Sequence, residues 1–385
     1  MKTPISDVDF LRCEGRSILN KNSQKVFLRG TNLGSWLLQE VWQSALEGVD
    51  SQWELVTTLE KRFGRERAAT LIKTFEDNFI TEYDLDYLES LGFTCLRLPF
   101  WYRNLYNDDE MTVKEGLPNF ERLDFIVSEC QKRGMYVIID MHGVPGFQSI
   151  AHHCCRTNHC ELYDENERGE HFRQLGARLW REIAEHYKGN PAVAAFDLMN
   201  EPMCDYKGEQ KVNKKYWDVY NLFYKAVREV DPDRIITLEA IWTPNDMPDP
   251  SVYGWENVIY QYHLYDSCNL DYSSFVPRER LKRFNVPVLI GEFSPCRGTA
   301  SWEHILKVFN RAEYHWLSWT YKGYCRSGSS EWFMLGRNEE DLIVDINTAE
   351  YDEILTKWSA PMRSENGFVQ MNDNKLLGKY ASMKG

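Results

Sequence analysis

Phe196-Asp197-Leu198-Met199-Asn200-Glu201-Pro202 is the stretch whose reading decides the fold. It is a short apolar run of strand character that stops on a carboxylate and a turn-forming proline. Val288-Leu289-Ile290-Gly291-Glu292-Phe293 repeats the pattern further along the chain. In a barrel of parallel strands the chemistry sits at the C-terminal strand ends. Two glutamates placed there can share one substrate, and paired carboxylates are what glycoside cleavage needs.

Outward from these two runs, apolar strand-like segments alternate with amphipathic helical ones, which signals βα units and a parallel sheet. The pattern predicts strands over 26–29, 94–98, 136–140, 194–199, 235–238, 258–262, 286–290 and 314–319. Helices are expected over 82–91, 120–132, 170–187, 216–229 and 302–311, with an extra helical insertion over 52–75 and a final helix over 351–358. A small hairpin over 11–19 leads into the first strand. Eight strands with their helices predict an α/β fold, a (β/α)8 barrel forming one catalytic domain over 1–385. The link over 242–255 is short and proline-rich, so no full helix is expected there. Linkers, solenoid repeats and low-complexity tracts are absent from the sequence.

At 385 residues and 43% hydrophobic content the chain can bury a sizeable core. Its 13 Trp, 21 Tyr and 19 Phe are an unusual share; most read as core packing, and the rest suit a sugar-binding cleft, since flat aromatic faces pack on pyranose C–H surfaces. A net charge of −13 argues against nucleic-acid and anionic-membrane partners, which require basic patches. The start, Met1-Lys2-Thr3-Pro4-Ile5-Ser6-Asp7, lacks a signal-peptide core, so the expectation is a cytoplasmic protein unless a leader was trimmed. The 10 cysteines then read as free thiols.

Each strand end contributes a functional side chain. In order they are Arg97, Asp140-Met141-His142-Gly143, Asn200-Glu201-Pro202, Tyr262-His263-Leu264-Tyr265, Gly291-Glu292-Phe293 and Ser318-Trp319. Taken singly, Arg97 reads as a salt-bridged residue, His142 as a turn residue and Trp319 as core. Six such termini in order carry far more weight than any one of them.

On Arg97, His142, Asn200, Glu201, His263, Tyr265, Glu292 and Trp319 the chain resembles the retaining glycoside hydrolases of family 5, over roughly residues 10 to 360. Arg29-Gly30-Thr31-Asn32-Leu33-Gly34-Ser35-Trp36 and Phe79-Ile80-Thr81-Glu82 resemble its cellulase-like and exo-1,3-glucanase-like branches. The resemblance implies Glu201 as general acid/base and Glu292 as nucleophile, with carboxyl groups about 5–5.5 Å apart. For Glu201 to be protonated near neutrality its surroundings, chiefly its neighbour's charge, must favour the acid form. Arg97 would pair with Glu292, Tyr265 would orient it, and Asn200 would bond the sugar 2-OH. His142 and His263 would flank the sugar, and Trp319 would form its floor. The expected substrate is a β-glucan or β-gluco-oligosaccharide; β-mannan and aryl or alkyl β-glucosides are alternatives. No cofactor and no metal is expected for this chemistry.

His152-His153-Cys154-Cys155-Arg156-Thr157-Asn158-His159-Cys160, after the third strand, is an oddity of this sequence, with six potential soft ligands in nine positions. By residue type it suits zinc, but it lacks a paired Cys-x2-Cys spacing. A loop lining the cleft is the expectation, with metal and redox readings open. Trp36, Trp101, Tyr102, Phe147, Trp242 and Tyr321 are aromatic candidates for sugar contact, and Gln39, Glu40 and Gln148 polar ones. A non-catalytic carbohydrate-binding barrel would be favoured by loss of either glutamate, and both are present. A metallohydrolase would need ligands converging at the barrel mouth. Long segments over 40–78 and 144–168 favour a pocket that takes oligosaccharides.

Overall fold

The computed structural model describes residues 3–111, 118–202, 214–240, 246–265, 275–277, 279, 284–295, 302–325, 332–338, 340 and 342–383. Trp242 lies outside them. Eight parallel strands close into a barrel in chain order: β1 (Arg29–Asn32), β2 (Cys95–Trp101), β3 (Tyr136–Gly143), β4 (Val193–Asp197), β5 (Ile235–Glu239), β6 (Val258–Tyr265), β7 (Val288–Ser294) and β8 (His315–Ser318). Barrel strands with helices packed outside are buried on both faces, and β2, β3, β6 and β7 are buried at every position. That is why their sequences read as nearly continuous apolar runs.

The first strand differs from expectation. Lys25–Val26 belongs to a small antiparallel sheet with Arg12–Glu14 and Ser17–Leu19, and the barrel begins at Arg29. Gly30 explains the shift. A Cβ there would lie 1.9 Å from the Cys95 carbonyl oxygen, so the polar-looking Arg29-Gly30-Thr31-Asn32 run is where β1 and β2 approach most closely.

The insertion after β1 is two helices, α1 (Gln52–Phe63) and α2 (Arg65–Phe79). They part at Gly64, whose φ of +81° is left-handed and suits glycine. Next come α3 (Glu82–Ser90), α4 (Glu121–Lys132), α5 (Glu167–His186), α6 (Lys214–Arg228) and α7 (Trp302–Arg311). Asn166 caps α5 by accepting from the Gly169 N–H at 2.8 Å. Between β5 and β6 the described residues include a 3-10 turn, Pro250–Val252, and no α-helix.

After β8 the chain adds α8 (Tyr351–Lys357) and then α9 (Asn374–Ala381), so the expected final helix is not the last. Arg29 donates to the Met383 carbonyl at 2.8 Å, which ties the end of α9 to the N-terminal rim of the barrel. A small sheet of Lys322–Cys325, Leu335–Asn338 and Val369–Gln370 also follows β8. Among the described residues no helix is long and apolar enough to cross a membrane.

Candidate active site

Side chains alternate along a strand, so residues two apart share a face. Asp140 and His142 on β3, and Gln261, His263 and Tyr265 on β6, therefore follow one another up one face of each strand. All five are buried in the upper barrel. The pairing of β6 with β7 shifts after Tyr262, so His263 stands opposite Glu292 and Gly291 is skipped. Gly291 is required at that skip: a Cβ would meet the Gln261 side chain at 2.5 Å.

Arg97, fully buried on β2, organises this layer. Its Nη1 donates to Glu292 Oε1 at 2.8 Å and to Asn32 Oδ1 at 3.1 Å. Its Nε donates to Asp197 Oδ2 at 2.8 Å, and its Nη2 to Asn200 Oδ1 at 2.9 Å. Asp140 Oδ2 lies 3.0 Å from the same Nη2. A guanidinium presents its donors in a rigid planar fork, which suits many fixed acceptors better than an ammonium would.

Glu292 takes its second bond from the Tyr265 hydroxyl, at 2.6 Å from Oε2. Glu201 lies past the end of β4 with its φ at +40°, a left-handed conformation uncommon for a glutamate. His263 Nδ1 is 2.7 Å from Glu201 Oε1 and 3.4 Å from Glu292 Oε2. The Gln261 amide nitrogen lies 3.4 Å from His263 Nε2, which assigns the ring proton to Nδ1. Burial holds the His263 ring neutral, with its pKa down at about 3.

A carboxylate oxygen of Glu201, one of Glu292 and a His263 nitrogen all lie within 4.8 Å of one another. The same three donors could receive a cation, although Glu292 is already held by Arg97 and Tyr265. Burial pushes the Glu292 carboxyl up, against the pull of His263 and Arg97, and the charge of Glu201 adds to the rise.

Asp140 is pushed up to about 7 and Asp197 to about 6, both chiefly by burial and both opposed by Arg97. His142 Nδ1 is bonded to Asp140 Oδ2 at 2.6 Å, and its ring stacks on Trp319 with centroids 5.7 Å apart.

Eight of the nine sequence-derived site residues thus come together: Arg97, His142, Asn200, Glu201, His263, Tyr265, Glu292 and Trp319. Trp36 does not. It is buried against Phe125, and its indole N–H donates to the Glu76 carbonyl of α2 at 2.8 Å, which makes it part of the packing between β1 and the helical layer. Trp101, Tyr102, Phe147 and Tyr321 are likewise core, and the Tyr321 hydroxyl is committed to Asp84 at 2.8 Å. The partly exposed aromatics at the site are instead Trp42 and Trp332, which pack on Trp319 and Tyr265. Trp332 lies 5.2 Å from Trp42 and 5.0 Å from Tyr265, centroid to centroid.

The polar candidates divide. Gln148 is structural, its amide donating to the carbonyls of His142 at 2.7 Å and Asn200 at 2.8 Å. Gln39 is buried, its N–H bonded to Gln52 at 2.9 Å. Glu40 stands between loops, accepting from Trp42 Nε1 at 2.8 Å and Gln43 Nε2 at 3.0 Å, with His152 Nε2 at 3.1 Å. Burial opposes its ionisation, but the bond and charge of His152, helped by His142 and Trp42, hold it down at about 2.

The His/Cys loop therefore lines the cleft. His152 pairs with Glu40, His153 Nδ1 lies 3.3 Å from Glu201 Oε2, and His159 is bonded to Glu161 at 2.8 Å. Cys154 donates to the Ser149 carbonyl at 2.7 Å, and the seven cysteines among the described residues are free thiols.

The sequence reading passed over Asn32, Asp140, Asp197, Glu239 and Gln261 as site residues. Each is a polar residue inside or closing a barrel strand, and that was the available signal. The cellulase family model, glycosyl hydrolase family 5, matches residues 60–324. The chain belongs to glycosyl hydrolase family 5.

This family 5 hydrolase is 28% identical to a β-xylosidase of Phanerodontia chrysosporium, over 81% of this chain and 71% of the relative. It is 25% identical to a probable glucan 1,3-β-glucosidase A of Aspergillus fumigatus, over 69% of this chain and 65% of the relative. Its fold is similar to that of a β-glucanase of Saccharophagus degradans solved in complex with cellotetraose. That likeness has a TM-score of 0.54 at 13% identity and covers 93% and 97% of the two chains.

Proposed function

We propose that this family 5 enzyme is a retaining β-glycosidase that cleaves β-gluco-oligosaccharides by double displacement. The observation that carries the reading is the approach of Glu201 and Glu292 oxygens within 4.8 Å. An inverting enzyme holds its carboxyl groups about 6.5–9.5 Å apart to admit a water, whereas a retaining one needs about 5–5.5 Å.

Glu292 attacks the anomeric carbon while Glu201 gives its proton to the departing glycosidic oxygen. Glu201, now a carboxylate, takes a proton from water, whose oxygen displaces Glu292 and restores the starting configuration. Arg97 and Tyr265 each hold one oxygen of Glu292, so the attacking carboxylate is fixed before substrate arrives. Asn200 spends its oxygen on Arg97 and keeps its amide N–H groups for the sugar 2-OH. Trp319, backed by His142, forms the floor of the site, and Trp42 and Trp332 extend it.

A pocket for oligosaccharides is supported by the meeting of the β1 and β3 loops, where His152 faces Glu40 at 3.1 Å. The β-xylosidase relative favours a second reading, a xylo-configured substrate at the same site. A panel of defined β-linked gluco- and xylo-oligosaccharides, with product size and anomeric configuration followed by NMR, tests both. Retained configuration with a gluco preference is expected. Inverted product overturns the mechanism, and a xylo preference overturns the substrate.

A further inference from the structure

A third glutamate stands beside the reacting pair. Glu239, the last residue of β5, is fully buried, and its Oε2 accepts the Glu201 backbone N–H at 2.8 Å. That N–H belongs to the residue whose φ is +40°, so the bond fixes the main chain where a glutamate is least at ease. Oε1 of Glu239 lies 3.2 Å from His263 Nδ1, but that proton is directed to Glu201, and Oε1 has no hydrogen-bond partner.

Other groups facing it make ionisation costly. Asp197 and Glu201 repel a charge there, the Tyr220 hydroxyl of α6 receives the Glu239 N–H at 3.3 Å, and His263 is neutral. Arg97 is the cation whose field reaches it, yet that guanidinium is taken up by Asp140, Asp197 and Glu292. A buried carboxylate oxygen with neither donor nor paired cation is far more costly than a carboxylic acid in the same place.

We propose that Glu239 is a positioning residue that, as a neutral carboxyl, holds Glu201 in its strained conformation and aims it at the glycosidic oxygen. This rests on Glu201 being the acid/base. Burial and the neighbouring charges of Glu201 and Asp197 push the Glu239 carboxyl far up, in agreement with the geometry. The neutral form adds no negative charge beside Glu201.

Glu239→Gln and Glu239→Leu separate this role from simple packing. The glutamine keeps an acceptor for the Glu201 N–H and has no charge to lose. E239Q is expected to hold kcat within about threefold and to leave the alkaline limb of the kcat–pH profile in place. E239L should lower kcat about 10- to 100-fold with KM little changed, because a misaimed proton donor affects the transition state more than binding. An infrared band of a protonated carboxyl at neutral pH, lost in E239Q, reads the same state without kinetics and survives a failure of E239L to fold.

An alkaline limb moved about one unit toward acid in E239Q would mean that a negative charge had been removed, and would overturn the proposal. A wild-type kcat in folded E239L would overturn it as well. Glu201→Ala in the same assays keeps the two ideas apart. If E201A stays active, the acid/base reading falls; if it is inactive while E239L is unimpaired, only the role of Glu239 falls.

Discussion

Arg97 Nη1 lies 2.8 Å from Glu292 Oε1, and the two side chains are 0% and 5% exposed. The guanidinium also holds Asp197, Asn200 and Asn32, and Asp140 lies beside it. Arg97→Met should therefore both abolish hydrolysis and destabilise the fold by about 3–5 kcal/mol, the usual effect of stranding buried carboxylates. Urea unfolding compared with wild type checks this; a loss under about 1 kcal/mol would show that the carboxyl groups are satisfied without it.

Stability should depend on pH in a definite direction. Asp140 and Asp197 titrate at about 7 and about 6 in the folded chain, above the ordinary aspartate value near 4. Between about pH 4 and 7 the folded protein therefore binds protons that the unfolded chain does not, and stability falls as pH rises through that window. Glu40 acts oppositely: its pKa of about 2 contributes stability above the ordinary glutamate range that is lost on acidification. The urea midpoint is expected to be higher near pH 5 than at pH 8, and the reverse order would contradict the assignment.

The Tyr265 hydroxyl reaches Glu292 Oε2 at 2.6 Å from a buried position. Tyr265→Phe keeps the ring against Trp332 and removes one charge-assisted bond, worth about 1.5–3 kcal/mol. Steady-state kinetics should show kcat lower by roughly 10- to 150-fold with little change in melting temperature.

The barrel, and the meeting of eight candidate residues at one end of it, were legible because strand ends carry chemistry and apolar runs carry strands. What escaped reading lay where one residue serves two ends. Arg29-Gly30-Thr31-Asn32 is a strand without apolar residues because the barrel closes tightly there. Trp36 looked like a sugar contact since it follows β1, but a strand-end tryptophan can as easily turn into the helical layer, and only the packing on Phe125 decides it. Glu239 carried no local motif, and its meaning comes from Glu201, 38 residues away in sequence and bonded in space.

The His152–Glu40 contact joins two loops over the cleft and is itself pH-dependent. Burial works against a charged His152, but Glu40 outweighs it and raises the imidazole pKa. The contact is therefore complete at acid pH and is lost as pH rises through that raised value. Amide exchange in 150–158, corrected for intrinsic rates, should accelerate across the transition in wild type and not in His152→Ala. Equal pH dependence in the two would remove the tether.

Trp332→Ala should raise KM for oligosaccharides several-fold while leaving kcat on a short aryl glycoside largely intact. This follows because Trp332 borders the site through Tyr265 and Trp42 and is only partly buried there. A fall in kcat with unchanged KM would instead place it against the reacting sugar.

Arg97 carries a consequence for how this protein can change. One side chain ties its own strand to four others and holds Glu292, the proposed nucleophile, so catalytic and architectural requirements cannot be varied independently at the centre. Evolution or design that seeks new substrates must work from the periphery, in the segments bearing Glu40, Trp42, His152 and Trp332, while the innermost layer stays fixed.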